Sequence, residues 1–203
     1  MKISVIIPVY NQEKLVIRAL ESIPKTNDIE IIVINDGSSD NTWINLLEYQ
    51  KTHSEIQNLF LVNHTKNKGV ANAVNTGYEL AIGEYVVLLG SDDYFTKKFE
   101  KIIKELDGTD LVYFDVEVNN GDVWQLNNES KTVLCGSFKF MRRNFIKNTR
   151  CPEERKSGED VQFYKELLQK NPTEKFTHIV LKHYNHPRDG SLTDLVRKGK
   201  IYV

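Results

Sequence analysis

The chain has 203 residues, a length that suits one compact domain with its own hydrophobic core. Hydrophobic residues make up 40% of the chain and charged residues 27%, which is typical of a soluble globular protein. The formal net charge of −1 excludes the global basic field that nucleic-acid binders usually carry, although a local basic patch stays possible.

Two cysteines, Cys135 and Cys151, are too far apart to form a CxxC pair. We interpret them as reduced thiols of a cytoplasmic protein rather than zinc ligands. No stretch approaches the ~18 apolar residues that span a bilayer, so the sequence predicts no transmembrane segment. Peripheral contact with a membrane is left open.

The first half of the chain alternates short apolar runs with amphipathic ones. β-Branched runs predict strands, and apolar residues at helical spacing predict helices. The predicted strands are 3–9, 29–34, 58–62, 84–89 and 110–116, and the predicted helices are 12–23, 41–51, 70–82 and 96–106.

The second half is less regular. Gly121 and Asp122 predict a turn between two short strands. Further predicted elements are helices at 137–145 and 159–168, a strand at 176–181 and a polar tail at 183–193. We expect one domain over residues 1–203, in which a composition shift near Tyr94 indicates a nucleotide half at 1–94 and an acceptor half at 95–203.

The order of strands and helices predicts the fold class. Alternating strands and helices favour an α/β fold of the Rossmann type, with a mostly parallel central sheet flanked by helices and a smaller acceptor-side region. In such sheets ligands bind at the carboxyl ends of the strands. The loops to inspect are therefore 10–11, 35–40 and 90–93.

Two adjacent carboxylates, Asp92 and Asp93, follow a predicted buried strand. Oxygen ligands suit Mg²⁺ or Mn²⁺, which commonly join one or two carboxylates to a diphosphate. The alternative is that both residues only complement the dipole of a following helix.

Asp36 also lies at the carboxyl end of a strand, where it can accept a hydrogen bond from a base or a ribose, whereas Asp40 is expected to cap the next helix. The segment Asn67-Lys68-Gly69 opens a helix whose amino end favours anions. In the second half, Gly158-Glu159-Asp160 opens a helix. Its acids are either partners of the helix dipole or a base that deprotonates an acceptor hydroxyl.

In their order and approximate spacing, these segments resemble family 2 glycosyltransferases, which have the GT-A fold. The resemblance is carried by VIIPVYN (5–11), NDGSSD (35–40), NKGVANAVNTG (67–77), SDD (91–93) and GED (158–160). A weaker match joins Tyr184 with RDGSLT (188–193), which resembles the family's closing loop. The resemblance implies an inverting transfer by single displacement from a nucleotide diphosphate sugar, for which we expect UDP.

The resemblance also implies roles for individual residues. Asp160 is the expected catalytic base, Asp92 and Asp93 are expected to bind Mn²⁺ or Mg²⁺, and His186 is a further candidate for the metal or the diphosphate. The expected donor-nucleotide contacts are Pro8, Tyr10, Asn11, Asp36, Asn67, Lys68, Gly69, Ser91, Asp92 and Arg188. The acceptor class stays open among a glycan, a lipid-linked sugar, a protein and a modified nucleobase.

The sequence departs from the family pattern at two positions. Gly90 stands where relatives often carry the first aspartate of Asp-Ser-Asp-Asp, and Val74 stands where many carry arginine. Gly90 would favour a rival interpretation, a catalytically silent module that binds sugar nucleotides. A nucleotidyltransferase is a second rival, but residues 8–11 are not the Gly-rich, basic phosphate loop that it would need.

Overall fold

The computed structural model describes residues 2–130, 137–154 and 158–186. Its first half confirms the predicted alternation of strands and helices, and its second half adds short strands. The strands are β1 Ile3–Val9, β2 Ile29–Asn35, β3 Leu59–Asn63, β4 Tyr85–Leu88, β5 Tyr94–Phe95, β6 Leu111–Val118, β7 Val123–Trp124, β8 Lys139–Arg142 and β9 Glu174–Tyr184. The helices are α1 Val16–Glu21, α2 Thr42–Thr52, α3 Val70–Leu80, α4 Phe99–Ile103, α5 Arg143–Ile146 and α6 Glu159–Leu168.

All the strands join one mixed sheet. Its order is β3-β2-β1-β4-β8-β6-β9-β5, and β7 pairs with β6. The first four strands are parallel, with Val9 opposite Asn35 and Ile6 opposite Leu88. The carboxyl ends of β1, β2 and β4 therefore meet at one edge of the sheet, where the predicted ligand loops begin.

The hydrophobic core lies on both faces of the parallel strands. Every residue of β2 is buried, because its mostly β-branched side chains suit a parallel sheet that helices cover on both faces. Helix α3 packs closely on this half. A Cβ atom at Gly77 would lie 2.3 Å from Cγ2 of Ile6, so only glycine allows the helix to approach β1 this far.

The predicted helix at 137–145 is wrong. This segment forms the strand β8 followed by the single-turn helix α5. Strand β8 inserts antiparallel between β4 and β6, with Phe140 opposite both Val87 and Val112. Pairing on both sides satisfies the hydrogen-bonding groups of its backbone. This tertiary contact outweighs the local helical pattern.

Other boundaries differ in smaller ways. Helix α1 begins at Val16 rather than at residue 12, and β9 extends from Glu174 to Tyr184. The first two residues of the expected closing tail, His183 and Tyr184, therefore belong to a sheet strand. Residues 187–193, with Arg188, lie outside the described residues. Across the described ranges, no helix is long and apolar enough to cross a membrane.

Candidate active site

The loops after β1 and β2 hold each other in place. The backbone N–H of Asn11 donates to the Ser38 hydroxyl at 2.9 Å, and the Asn11 side-chain oxygen accepts from the backbone N–H of Ser39 at 2.8 Å. Asn11 has a positive φ of 50°, a conformation that asparagine tolerates better than most residues. Its expected donor contact stays a prediction, and the structure gives it a role in joining the two loops. Tyr10 beside it is 45% exposed and available to a ligand.

Gly37 lets a third loop join this pair. A Cβ atom at position 37 would lie 2.4 Å from the carbonyl carbon of Lys66, and φ at Gly37 is +66°. Both the space and the conformation therefore require glycine. Residues 35–40 and 64–69 consequently pack backbone against backbone.

Asp36 anchors that third loop. Its buried carboxylate accepts hydrogen bonds from the backbone N–H groups of Lys68 at 3.0 Å and Gly69 at 2.8 Å. The ring nitrogen Nδ1 of His64 lies 2.8 Å from the same carboxylate. Asp36 therefore fixes the start of α3, because Gly69 is the residue that precedes this helix. A nucleoside contact would come in addition to these bonds and stays a prediction.

His64 extends the anchor to the body of α3, and sequence reasoning missed it. Its Nε2 atom lies 3.1 Å from the Thr76 hydroxyl, which also donates to the Asn72 carbonyl oxygen at 2.9 Å. The predicted donor residues next to it are placed at the same helix start: the Asn67 side-chain oxygen accepts from the Gly69 N–H at 3.0 Å, and Lys68 is exposed. These residues surround the amino end of α3, which favours anions.

The loop after β4 brings two carboxylates together over a glycine. A Cβ atom at Gly90 would lie 2.7 Å from Oδ2 of Asp93 and 3.1 Å from Oδ1 of Asp92. An aspartate at this position would force both carboxylates to move. Glycine at position 90, where relatives often carry an aspartate, therefore fits the close packing of this loop.

Asp93 is engaged in a buried ion pair that the sequence did not predict. Its Oδ2 atom lies 2.9 Å from Nζ of Lys182, and the two side chains are 2% and 0% exposed. Its Oδ1 atom accepts from the backbone N–H of Asn185 at 2.9 Å. Lys182 also donates to the Ser137 hydroxyl at 2.6 Å, and its ammonium lies 4.8 Å from the centre of the Phe138 ring. The expected metal role of Asp93 stays a prediction, but both oxygens already have protein partners.

Asp92 has a different environment from its neighbour. It is half-buried at the end of the strand, and its carbonyl oxygen accepts from Nη2 of Arg18 at 2.6 Å. Ser91, another predicted donor residue, is buried beside it. Of the two predicted carboxylate ligands, Asp92 is partly exposed at the surface and Asp93 is buried.

His186 follows Asn185, which contacts Asp93, and its expected role toward the metal or the diphosphate stays a prediction. In the ranges that the structure describes, no three His, Cys, Asp or Glu side chains form a group that could hold a metal ion. The His186 ring instead lies parallel to the Tyr184 ring, with centroids 5.3 Å apart, and against Trp124. This histidine packs at the end of β9.

Helix α6 places the predicted base. Gly158 precedes the helix in a left-handed conformation with φ 72°, and Glu159 and Asp160 form its first turn. Asp160 is exposed, and its Oδ1 atom accepts from the backbone N–H of Val161 at 2.8 Å. Glu159 is half-buried and therefore more enclosed than Asp160, although both residues line the same cavity.

A cavity of about 230 Å³ joins these elements. It lies between the strand ends, the inner face of α3 and the first turn of α6. Its lining includes Pro8, Val74, Tyr78, Gly90, Phe138, Lys139, Glu159, Asp160, Phe163 and Tyr184. The predicted base therefore shares a cavity with Pro8, a predicted donor residue, and with Gly90 of the loop after β4, whereas the other described donor and metal candidates are not among its lining residues. Lys139, a buried cation in this lining, was not predicted, because its strand was interpreted as a helix.

The cavity also contains a thiol that does not ionise readily. Burial, together with the negative charges of Glu159 and Asp160, raises the pKa of the Cys151 thiol to about 12. Its backbone N–H donates to the Asn75 side chain at 2.9 Å. This cysteine therefore acts as a small packing residue and not as a nucleophile.

The sequence profile of the glycosyl transferase family 2 matches residues 4–165. This segment contains the four strand-end loops and the first turn of α6. The chain belongs to this family.

The chain matches a part of two curated relatives. An uncharacterized glycosyltransferase of Rickettsia bellii is 36% identical over 115 residues, which is 55% of this chain and 16% of that protein. The chondroitin synthase of Escherichia coli is 28% identical over 211 residues, which is 95% of this chain and 30% of that protein. The chain thus spans less than a third of the length of these relatives.

Solved structures share the fold. S. aureus TarS, in a fragment bound to UDP-GlcNAc, superimposes with a TM-score of 0.81 and 25% identity, over 100% of this chain and 62% of that chain. The mannosyltransferase PcManGT of Pyrobaculum calidifontis, bound to GDP-Man and Mn²⁺, gives a TM-score of 0.76 at 20% identity, over 98% of this chain and 61% of that chain. The architecture is therefore that of GT-A glycosyltransferases.

Proposed function

We propose that the protein is an inverting glycosyltransferase that moves a sugar from a nucleotide diphosphate donor, a UDP-sugar, to an acceptor hydroxyl. The observation that carries the proposal is the position of Asp160. It is an exposed carboxylate that lines the same cavity as Gly90 and Pro8, at the carboxyl ends of two parallel strands. Family membership and the UDP-GlcNAc complex of TarS support a nucleotide-sugar donor.

In this proposal the donor half is residues 1–94. The nucleoside lies over the interlocked loops, beside Tyr10 and within reach of Asp36. The diphosphate lies near the start of α3, where Asn67, Lys68 and Gly69 present a helix amino end and an exposed cation. The leaving group is negatively charged, so these groups stabilise it more as the bond to the sugar breaks.

Asp92 fits a divalent cation, because it offers an oxygen ligand at the end of a strand and reaches the surface. A Mn²⁺ or Mg²⁺ ion held by Asp92 and the donor would neutralise charge on the departing diphosphate. The Mn²⁺ complex of PcManGT gives this assignment support from the same fold. Asp93 acts differently in this account. Paired with Lys182, it keeps the loop in place.

Asp160 supplies the base for a single displacement. The acceptor oxygen attacks the anomeric carbon and forms the new glycosidic bond while the bond to the diphosphate breaks. The electron pair of that bond leaves with the nucleoside diphosphate. The acceptor proton moves to the Asp160 carboxylate, which the Val161 N–H holds in position.

A screen of nucleotide sugars tests the proposal. Release of nucleoside diphosphate is measured with each donor, with Mn²⁺ or Mg²⁺ and with chelator, against a panel of glycan, lipid-linked, protein and nucleobase acceptors. We expect one donor to be turned over, with more product when its acceptor is present. Tight binding of a sugar nucleotide without any turnover across the panel would favour a silent binding module.

A further inference from the structure

An apolar groove lies at the outer edge of the sheet. Phe60 on β3, Leu80 at the end of α3 and Ile82 after it are 48%, 47% and 61% exposed. They line a shallow groove of about 580 Å³, and β3 is the terminal strand of the sheet. Single exposed apolar residues are common, but a group of three large ones in one groove marks a surface that contacts something.

A basic cavity borders this groove. It has a volume of about 340 Å³, and Arg143, Lys147 and Arg150 contribute to its lining. The segment 142–150 carries four cations and no carboxylate. Within the described ranges, none of the three lining cations forms an ion pair, and the lining carboxylate is Glu79. The cavity therefore has an excess of positive charge in a protein whose net charge is −1.

The groove and the cavity lie on the two sides of the segment that ends α3. Residues 79–82 separate them, with Leu80 and Ile82 on the groove side and Glu79 and Ala81 on the cavity side. Arg143 is fastened to this ridge, since its Nε donates to the Gly83 carbonyl oxygen at 2.8 Å. Apolar side chains and cations are thus held side by side. We call this region, Phe60, Leu80, Ile82, Arg143, Lys147 and Arg150, the ridge surface.

The ridge surface lies at the opposite end of β4 from the strand-end loops, although Tyr78 lines both its basic cavity and the cavity of the candidate site. Arg142, which precedes α5, lies opposite Tyr85 at the amino end of β4, whereas Gly90 follows the carboxyl end of that strand. A partner on the ridge surface would therefore leave the strand-end loops uncovered.

We propose that the ridge surface docks on the anionic face of a lipid bilayer. Cations near such a surface are attracted by its negative potential, and exposed apolar side chains enter the headgroup region. A soluble polyanion would use the cations and leave Phe60, Leu80 and Ile82 without a role. A second copy of the chain, related by a two-fold axis, would bring like charges together.

Vesicle sedimentation tests this proposal without any nucleotide sugar, so the result does not depend on the proposed function. The protein is mixed with phosphatidylcholine vesicles that either contain or lack phosphatidylglycerol. We expect sedimentation mainly with the anionic vesicles. The double variant Arg143→Glu/Lys147→Glu should weaken partitioning by at least about tenfold, because each cation contributes about fivefold. Leu80→Asn/Ile82→Asn should also weaken it several-fold.

A matched control separates a specific surface from general attraction. Lys97→Glu/Lys98→Glu makes the same change in net charge at exposed residues near β5, the strand at the other end of the sheet. The single variants Lys147→Glu and Ile82→Asn change only exposed side chains. They replace the double variants in the same measurement if a double variant misfolds. We expect the control to sediment like the unchanged protein.

Three results would overturn the proposal: equal losses in the control and the ridge variants, unchanged partitioning of the Ile82 and Leu80 variants, and binding to inorganic polyphosphate but to no vesicle. The last of these would point to a polyanionic partner instead.

Discussion

The carboxylate of Asp93 and the ammonium of Lys182 lie 2.9 Å apart and are both buried, although 88 positions separate them along the chain. The contact ties the loop after β4, which carries Asp92, to strand β9 near the described end of the chain. Through the Asn185 N–H, the same carboxylate also fixes the residues that follow β9. Asp93 therefore positions two parts of the candidate site at once.

Removing one partner of this pair should destabilise the protein. Asp93→Asn or Lys182→Met leaves a buried charge without its counter-charge, which typically costs about 3–5 kcal/mol of unfolding free energy. The double variant Asp93→Asn/Lys182→Met removes both charges and should be close to the unchanged protein in stability. Urea denaturation of the three variants gives the comparison. Additive losses in the double variant would show that the two side chains act independently.

The same double variant tests whether Asp93 binds metal. If Asp93 only positions the loop, the double variant should turn over the donor, and the Mn²⁺ concentration that gives half-maximal activity should be unchanged. A large rise in that concentration, in a variant that is stably folded, would return Asp93 to the metal site.

Asp92→Asn should lower turnover by at least ~100-fold, since loss of one stabiliser of a charged leaving group typically costs ~2.7–4 kcal/mol. The measurement is nucleoside diphosphate release as a function of Mn²⁺ concentration. Glu48→Gln, which neutralises an exposed carboxylate on α2, is the control and should behave normally. Full activity of the Asp92 variant, or of the unchanged protein in excess chelator, would contradict metal assistance through Asp92.

Asp36→Ala should release the loop that precedes α3. The backbone N–H groups of Lys68 and Gly69 and the ring of His64 would lose their common acceptor, and a buried group that is left unsatisfied typically costs about 1–3 kcal/mol. Hydrogen exchange in residues 64–69 should become faster, and donor affinity should fall. Normal exchange with weaker donor binding would mean that Asp36 acts mainly on the nucleoside.

Cys151 should resist alkylation while the protein is folded. Because its thiol pKa is raised to about 12, almost none of it is thiolate near pH 8, whereas an unfolded cysteine ionises near about 8.5. Iodoacetamide labelling, mapped by mass spectrometry, should rise only with urea unfolding or as the pH approaches 12. Rapid labelling of the folded protein at neutral pH would show that the thiol is accessible and ionised.

The sequence predicted the parallel half of the fold because its signals are local. Buried strands such as β2 consist mostly of β-branched residues, and glycines such as Gly69 and Gly83 mark helix ends. Strand β8 could not be predicted in this way. Its four residues have no strand periodicity, and the segment becomes a strand because β4 and β6 lie on either side of it.

The position of the candidate site at the strand ends could be predicted for a related reason. Parallel strands bring their carboxyl ends together whatever the details of packing, so Gly90 and Pro8 lie in the cavity that Asp160 joins. The partner of Asp93 depends on a contact across the whole fold. A lysine within the apolar strand 179–182 was the available signal, since a buried lysine needs a counter-charge.

The most direct test of the central claim compares turnover and donor affinity in Asp160→Asn. Asparagine preserves size and hydrogen bonding but cannot take a proton, so we expect turnover to fall by ~10²–10⁴-fold while calorimetry gives an unchanged donor dissociation constant. Glu159→Gln, the neighbour in the same first turn, should keep most of its turnover. Normal turnover in Asp160→Asn together with a collapse in Glu159→Gln would reverse the two roles, and normal turnover in both variants would contradict a base at the start of α6.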